Sequence, residues 1–311
     1  MAAKPHSEPA PADSAWPARI SFWLSVLLAW AALRFLAAPL LVPPGIERPV
    51  VLAASWSALL GAPLFLCVVA AAGAITAAMA PERHATRPMI VLGVALALWA
   101  ATGGTMDDWL KLRNERVEPG RAAPYLALLP DYALLAAGVS GAAFCASWVL
   151  ARRSRPAAGV DPAGPIAGGA NARRAGAGAN RAAPANGVLC LLTTALISAV
   201  ALLVLMGPRV ATTRRGQVFF ALTAAFFVGA LAAHRLFRVA DARWYWPAPL
   251  LVGGAGILYA ALQPALPAPY TQVNIIPVHA LVRALPIEMI GVGMVAVLWG
   301  LHFGEASEHG E

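Results

Sequence analysis

The sequence predicts an all-α, polytopic bundle of transmembrane helices. Eight apolar stretches are each about 20 residues long, the length with which one helix crosses a hydrocarbon core of roughly 30 Å. Hydrophobic residues make up 59% of the chain and charged residues only 12%, with a mean hydropathy of +0.67. Backbone polar groups cannot stay unpaired in hydrocarbon, and the alternating pattern of a β-barrel is absent, so each stretch is predicted to be helical.

The predicted spans are arranged four and four around a polar linker. Their boundaries are 20–41, 55–79, 88–105, 131–150, 187–206, 217–236, 247–263 and 286–303. The seventh is the least regular, because Pro247, Pro249 and a cluster of glycines reduce its apolar content. It is predicted to cross the membrane completely, with a broken or re-entrant helix as the alternative.

The segments outside the spans are interpreted from their composition. Residues 1–19 are rich in Pro and Ala and are expected to form a disordered tail, without the cleavage site of a signal peptide. Residues 151–186 are almost entirely Ala, Gly, Pro, Arg and Asn, which predicts a flexible linker between membrane halves at 20–150 and 187–303. Residues 304–311 are expected to form an acidic tail.

The two halves also correspond in sequence order. The shift that places Arg87 on Arg243 also places Leu129-Pro130 on Leu285-Pro286, and it aligns spans two to four with spans six to eight. This order is compatible with a parallel duplication. Apolar segments match each other easily and identity between the halves is very low, so chance similarity is the preferred interpretation.

The net charge of +8 comes from arginines in the loops. With the amino terminus in the cytoplasm, 13 Lys and Arg residues are cytoplasmic and 9 are external, besides Arg34 within the first span. This excess predicts an inner-membrane protein with both termini in the cytoplasm. Basic and aromatic residues do not interleave as in nucleic-acid-binding surfaces, so the expected partners are the lipid bilayer and membrane protein subunits.

The candidate functional residues lie at the predicted outer boundary. Adjacent carboxylates at Asp107 and Asp108 could hold a divalent cation that bridges a phosphate, but an ordinary exposed helix has the same alternation of charge. No metal site or cofactor is assigned, since Cys67, Cys145 and Cys190 lie in separate spans without neighbouring ligands. The candidate catalytic residues are Asp107, Asp108, His279 and Glu288, and the candidate substrate-binding residues are Arg34, Lys111, Arg113 and Arg283.

For His279, Arg283 and Arg34 the sequence also predicts which residues lie close together. Asn274 and Pro277 are expected to start a short helix on which His279 and Arg283, four residues apart, share a face. Arg34 lies within its span and needs solvation or a counter-charge. Glu288, near the start of the eighth span, is its predicted partner, and Asp131 is the alternative.

Asp107-Asp108-Trp109-Leu110-Lys111 resembles the Asp-Asp-x-x-Lys motif of polyprenyl-phosphate phospho-sugar transferases. In that family the motif closes a transmembrane helix on the cytoplasmic side, and its aspartates serve a magnesium-dependent transfer. The resemblance covers only these residues, on the predicted outer side, and the chain lacks the family's later Asp-containing and His-rich loops. The sequence therefore does not indicate membership.

The sequence supports two classes of function. One is a non-enzymatic membrane protein, either a small permease or a packing subunit of a membrane complex. The other is a membrane enzyme that acts on a lipid-linked or phosphate-bearing substrate through Asp107, Asp108, His279, Arg283 and Glu288. Whether the chain is an enzyme is left open by the residues alone.

Overall fold

A computed structural model of the chain is a bundle of α-helices, which confirms the all-α fold. The structure describes residues 15–41, 48–53, 58–80, 86–113, 121–153, 184–207, 214–263, 277 and 279–309. These residues contain no β-strand, and extended pairing is limited to an isolated parallel bridge between Pro49 and Gly104.

The helices follow the predicted apolar stretches. Helix α1 (Ala15–Ala32) continues through a π-helical turn (Leu33–Ala37) into α2 (Ala38–Leu41). The others are α3 (Ala58–Met79), α4 (Thr86–Ala101), α5 (Met106–Leu112), α6 (Ala123–Leu126), α7 (Leu129–Arg153), α8 (Pro184–Leu205), α9 (Arg215–Phe237), α10 (Ala248–Leu262) and α11 (Pro286–His309). Two short 3-10 turns cover Ala242–Trp244 and Ala280–Val282.

Seven helical segments in the described part of the chain are long and apolar enough to cross a membrane, which indicates a multi-pass membrane protein. They are Trp16–Leu41, Gly61–Met79, Ala123–Arg153, Pro184–Leu205, Arg215–Phe237, Ala242–Leu262 and Pro286–Ser307. The predicted third span corresponds to α4, an apolar helix of 16 residues. At 1.5 Å per residue α4 is about 24 Å long, so eight complete crossings remain a prediction.

The helices extend beyond several predicted boundaries. Helix α11 continues to His309, so residues 304–309 are helical where a tail was expected. Glu305 and Ala306 are good helix formers, and no proline or glycine follows until Gly310. Helix α7 extends to Arg153 and α8 begins at Pro184, at the two ends of the predicted linker. Residues 1–14 and 154–183, which hold most of the predicted tail and linker, lie outside the described residues.

Helix α11 is the central helix of the bundle. It packs against α9, α4, α10 and α7. Of its apolar stretch, 78% is buried inside the bundle, compared with 22% for helix α8 at the periphery. Glycines on α11 permit close approach of its neighbours. A Cβ on Gly300 would lie 2.6 Å from the Phe227 carbonyl oxygen, and one on Gly291 would lie 2.8 Å from the Ala97 nitrogen. Small residues therefore set the spacing of the central helices.

The element order repeats between the halves. In each half the second and fourth long helices pack together, α3 on α7 in the first and α9 on α11 in the second. A short helical turn, α6 or Ala280–Val282, precedes the fourth helix in both halves. This repetition of element order is what a parallel duplication would produce, and whether the halves arose by duplication stays open.

Candidate functional site at one end of the bundle

Several buried charged residues lie at one end of the bundle, where α4 ends and α7, α9 and α11 begin. We call this the Glu288 end. Its charged groups come from helices far apart in sequence, because antiparallel neighbours bring the end of one helix beside the start of the next. Asp131 is in the first turn of α7, Glu288 is in the first turn of α11, and Arg215 begins α9.

Glu288 is engaged on both carboxylate oxygens. Its side chain is only 2% exposed, and Oε2 accepts a hydrogen bond of 2.9 Å from the Leu285 backbone N–H. Oε1 lies 3.5 Å from Nε of Arg215. Glu288 therefore satisfies a backbone donor at the start of α11 and pairs with a cation on α9.

Arg215 also binds the end of α4. Its Nη1 donates to the Ala101 carbonyl oxygen at 2.8 Å, and Nη2 donates to the Gly103 carbonyl oxygen. A cation is favourable at a helix carboxyl end, where carbonyl oxygens lack partners within the helix. One guanidinium thus links α9 to α4 and to α11.

The predicted ion pair between Arg34 and Glu288 is wrong. Arg34 lies in the π-helical turn with its side chain exposed, while Leu33 and Ala37 are buried. The prediction rested on the depth of Arg34 along the first span. Depth does not specify the side of the helix that a residue faces, and here Arg34 faces away from the bundle.

Asp131 holds a non-helical segment against the bundle. It is buried, and its two oxygens accept backbone hydrogen bonds of 2.7 Å each from Leu52 and Ala53. Tyr132 follows it, and its hydroxyl lies against Gly253 of α10. The segment 48–53 is thereby held at the Glu288 end, and the backbone donors of Leu52 and Ala53 are satisfied, as a low-dielectric environment requires.

Asp107 and Asp108 are used within their own short helix. Asp107 Oδ2 lies 2.5 Å from Nζ of Lys111, four residues later. Asp108 caps α5 by accepting hydrogen bonds from the Thr105 backbone N–H at 2.6 Å and the Thr105 hydroxyl at 2.9 Å. The described residues contain no group of three or more His, Cys, Asp or Glu side chains arranged to hold a metal ion. The guanidinium of Arg113, the next candidate, lies over the Trp109 ring at 4.4 Å.

His279 and Arg283 do not share a helical face. The described residues form only the 3-10 turn Ala280–Val282 between them, and Asn274 lies outside the described part. His279 Nε2 is 2.9 Å from the Gln263 carbonyl oxygen, while Nε of the buried Arg283 donates to the Pro277 carbonyl oxygen at 3.0 Å. Burial lowers the pKa of the Arg283 guanidinium from its ordinary value.

The sequence analysis missed Arg215 and Tyr132. Arg215 was counted only as a loop charge. A usable signal was its place directly before the sixth span, because spans that alternate in direction bring that point to the same side as the start of the eighth. Tyr132 carried no such signal, since a lone tyrosine at a span end is also typical of an interfacial belt.

The chemistry common to the Glu288 end is the binding of backbone groups by buried and partly buried charged side chains. Asp131 and Glu288 accept from backbone N–H groups, while Arg215 and Arg283 donate to backbone carbonyl oxygens. Comparison of the chain with protein families, with curated proteins and with solved structures finds no match.

Proposed function

We propose that the chain is a non-enzymatic packing subunit of a larger membrane complex. The observation that carries this proposal is that the candidate catalytic carboxylates already bind groups of the chain's own helices. Asp108 caps α5, Asp107 pairs with Lys111, and Glu288 binds the start of α11 and Arg215. A general acid or base needs free access to a reacting group, whereas these carboxylates stabilise the bundle.

The packing of α11 favours a subunit over a small permease. A permease requires a polar path that opens between its helices, commonly at the interface of its repeats. Here the most buried helix, α11, packs against helices from both halves of the chain, and Gly291 and Gly300 bring it close to the backbones of α4 and α9. Opening a path along α11 would separate helices that touch through their backbones, which supports a packing role.

The proposal is tested by purifying the full chain from its native membrane in a mild detergent. Co-purifying proteins and lipids are identified by mass spectrometry, and proximity is verified by cross-linking. We expect a membrane protein in a fixed stoichiometric ratio to this chain, cross-linked to its peripheral helices. A chain that purifies without any stoichiometric partner would overturn the proposal.

The enzyme alternative makes a different prediction in the same experiment. It requires a bound polyprenyl or phospholipid substrate that is lost on Asp107→Asn combined with Asp108→Asn. Asp241→Asn is the matched control, because Asp241 is half-exposed and pairs at 2.5 Å with Arg243 near the opposite end of the bundle. Loss of the bound lipid from the double variant, but not from Asp241→Asn, would support the enzyme alternative.

A further inference from the structure

Arg34 is a charged side chain on the outer surface of a membrane-spanning helix. It belongs to the π-helical turn Leu33–Ala37, where Arg34, Phe35 and Leu36 are exposed in succession. Single π-helical turns within α-helices occur frequently at functional sites. Here the turn presents a guanidinium next to the exposed apolar side chains of Phe35 and Leu36, on a surface that faces away from the bundle.

The position of Arg34 along its helix brings the guanidinium within reach of lipid headgroups. From Trp16 to Arg34 the helix rises about 27 Å at 1.5 Å per residue, and a bilayer core is roughly 30 Å thick. If Trp16 lies at one boundary, as interfacial tryptophans do, Arg34 lies just inside the other. Its long side chain can then extend to the phosphate layer at the Glu288 end.

The described part of this chain supplies no counter-charge for Arg34. The described acidic residues at the Glu288 end are engaged elsewhere: Asp131 with Leu52 and Ala53, Glu288 with Arg215, Asp107 with Lys111 and Asp108 with Thr105. Arg34 therefore lies on the surface of its helix without an acidic partner among the described residues.

We propose that Arg34 binds the phosphate group of an anionic phospholipid at the Glu288 end of the bundle. A guanidinium matches phosphate through two parallel hydrogen bonds, and the low dielectric constant near hydrocarbon strengthens them. The exposed rings and aliphatic groups beside Arg34 would contact the acyl chains. This inference goes beyond the proposed function and does not depend on it.

The test measures lipid affinity of the full chain in a neutral detergent. Phosphatidylglycerol is titrated in, and bound lipid is counted by native mass spectrometry, with the melting temperature as a second readout. We expect Arg34→Ala to weaken the tightest binding about tenfold, which corresponds to about 1.4 kcal/mol, because the variant removes the charged donors that bind the phosphate. Arg34→Lys should retain part of the affinity, because it keeps the charge without the paired donors.

Arg235→Ala is the matched control. Arg235 is an exposed arginine on α9 at the opposite end of the bundle, so its removal changes the net charge equally. The control should leave the tightest phosphatidylglycerol binding unchanged. Inorganic phosphate and phosphatidylcholine should each bind more weakly than phosphatidylglycerol.

Three results would overturn the proposal. They are unchanged phosphatidylglycerol affinity in Arg34→Ala, equal losses in Arg34→Ala and Arg235→Ala, and equal binding of inorganic phosphate or phosphatidylcholine by the wild-type chain. If Arg34→Ala does not fold, Arg34→Gln replaces it, since glutamine keeps a polar, though shorter, side chain and removes the charge and the paired guanidinium donors. Loss of a co-purifying protein with unchanged lipid binding would assign Arg34 to a protein interface instead.

Discussion

Replacing Arg215 by alanine should destabilise the bundle by leaving Glu288 buried without a cation. In the wild-type chain Nε of Arg215 lies 3.5 Å from Glu288 Oε1, and the guanidinium also donates to the Ala101 and Gly103 carbonyl oxygens. The variant removes all three interactions. Glu288 remains only 2% exposed, with a single backbone donor from Leu285.

The expected loss in the free energy of unfolding depends on how deeply each side chain of the Arg215–Glu288 pair is buried. Breaking a fully buried ion pair typically costs about 3–5 kcal/mol. The Arg215 side chain is 26% exposed, so water screens part of this interaction, and we expect about 2–3 kcal/mol for Arg215→Ala. Glu288→Gln keeps an acceptor for the Leu285 N–H and should cost about 1 kcal/mol.

The assay is reversible unfolding in mixed detergent micelles, followed by tryptophan fluorescence. The chain has ten tryptophans, and Trp99 and Trp109 are buried near the Glu288 end. The double variant Arg215→Ala with Glu288→Gln should be more stable than the sum of the single losses predicts, by about 1–2 kcal/mol. Arg214→Ala, at the exposed neighbouring residue, is the control and should change the free energy of unfolding little.

Additive losses for Arg215 and Glu288 would refute this reasoning. A second cycle distinguishes the observed pair from the one predicted from sequence. Arg34→Ala and Glu288→Gln should be additive, since Arg34 is exposed on another surface. Coupling in that cycle instead would mean that the two residues do pair.

The remaining predictions concern Asp131, the central helix and the topology. Asp131→Asn should lower the free energy of unfolding by about 2 kcal/mol, because the amide nitrogen of the new asparagine cannot accept a hydrogen bond from one of the backbone N–H groups of Leu52 and Ala53. An unchanged denaturation midpoint would contradict this role. Gly300→Ala should destabilise the bundle by about 1–3 kcal/mol. Gly141→Ala is the control and should leave the stability unchanged, since a Cβ on Gly141 meets nothing within 4 Å. Equal effects of the two variants in thermal unfolding would contradict close packing at α11. A cysteine introduced at Ala170, after removal of the native cysteines, should resist a membrane-impermeant reagent in intact cells, and labelling there would reverse the predicted orientation.

The sequence by itself determined that the chain is an all-α membrane bundle, and it located the helices to within a few residues. Long apolar runs permit little else, because a backbone in hydrocarbon must satisfy its own hydrogen bonds. The same reasoning located the charges of Asp131 and Glu288 at helix starts. It also located Arg34 near the end of its helix, but it gave only the position of Arg34 along the helix axis and not the side of the helix that Arg34 faces.

Only the tertiary structure decided which side of each helix faces the bundle. Spans that are apolar all round carry no amphipathic pattern from which that side can be read. For this reason Arg34, assigned to Glu288 by depth, lies on the surface, and Arg215 from another helix takes its place. The backbone groups bound by Asp131, at Leu52 and Ala53, lie outside regular helix. Those bound by Arg215 lie at the last residue of α4, Ala101, and just beyond it, at Gly103, and the positions of all four depend on how the helices pack.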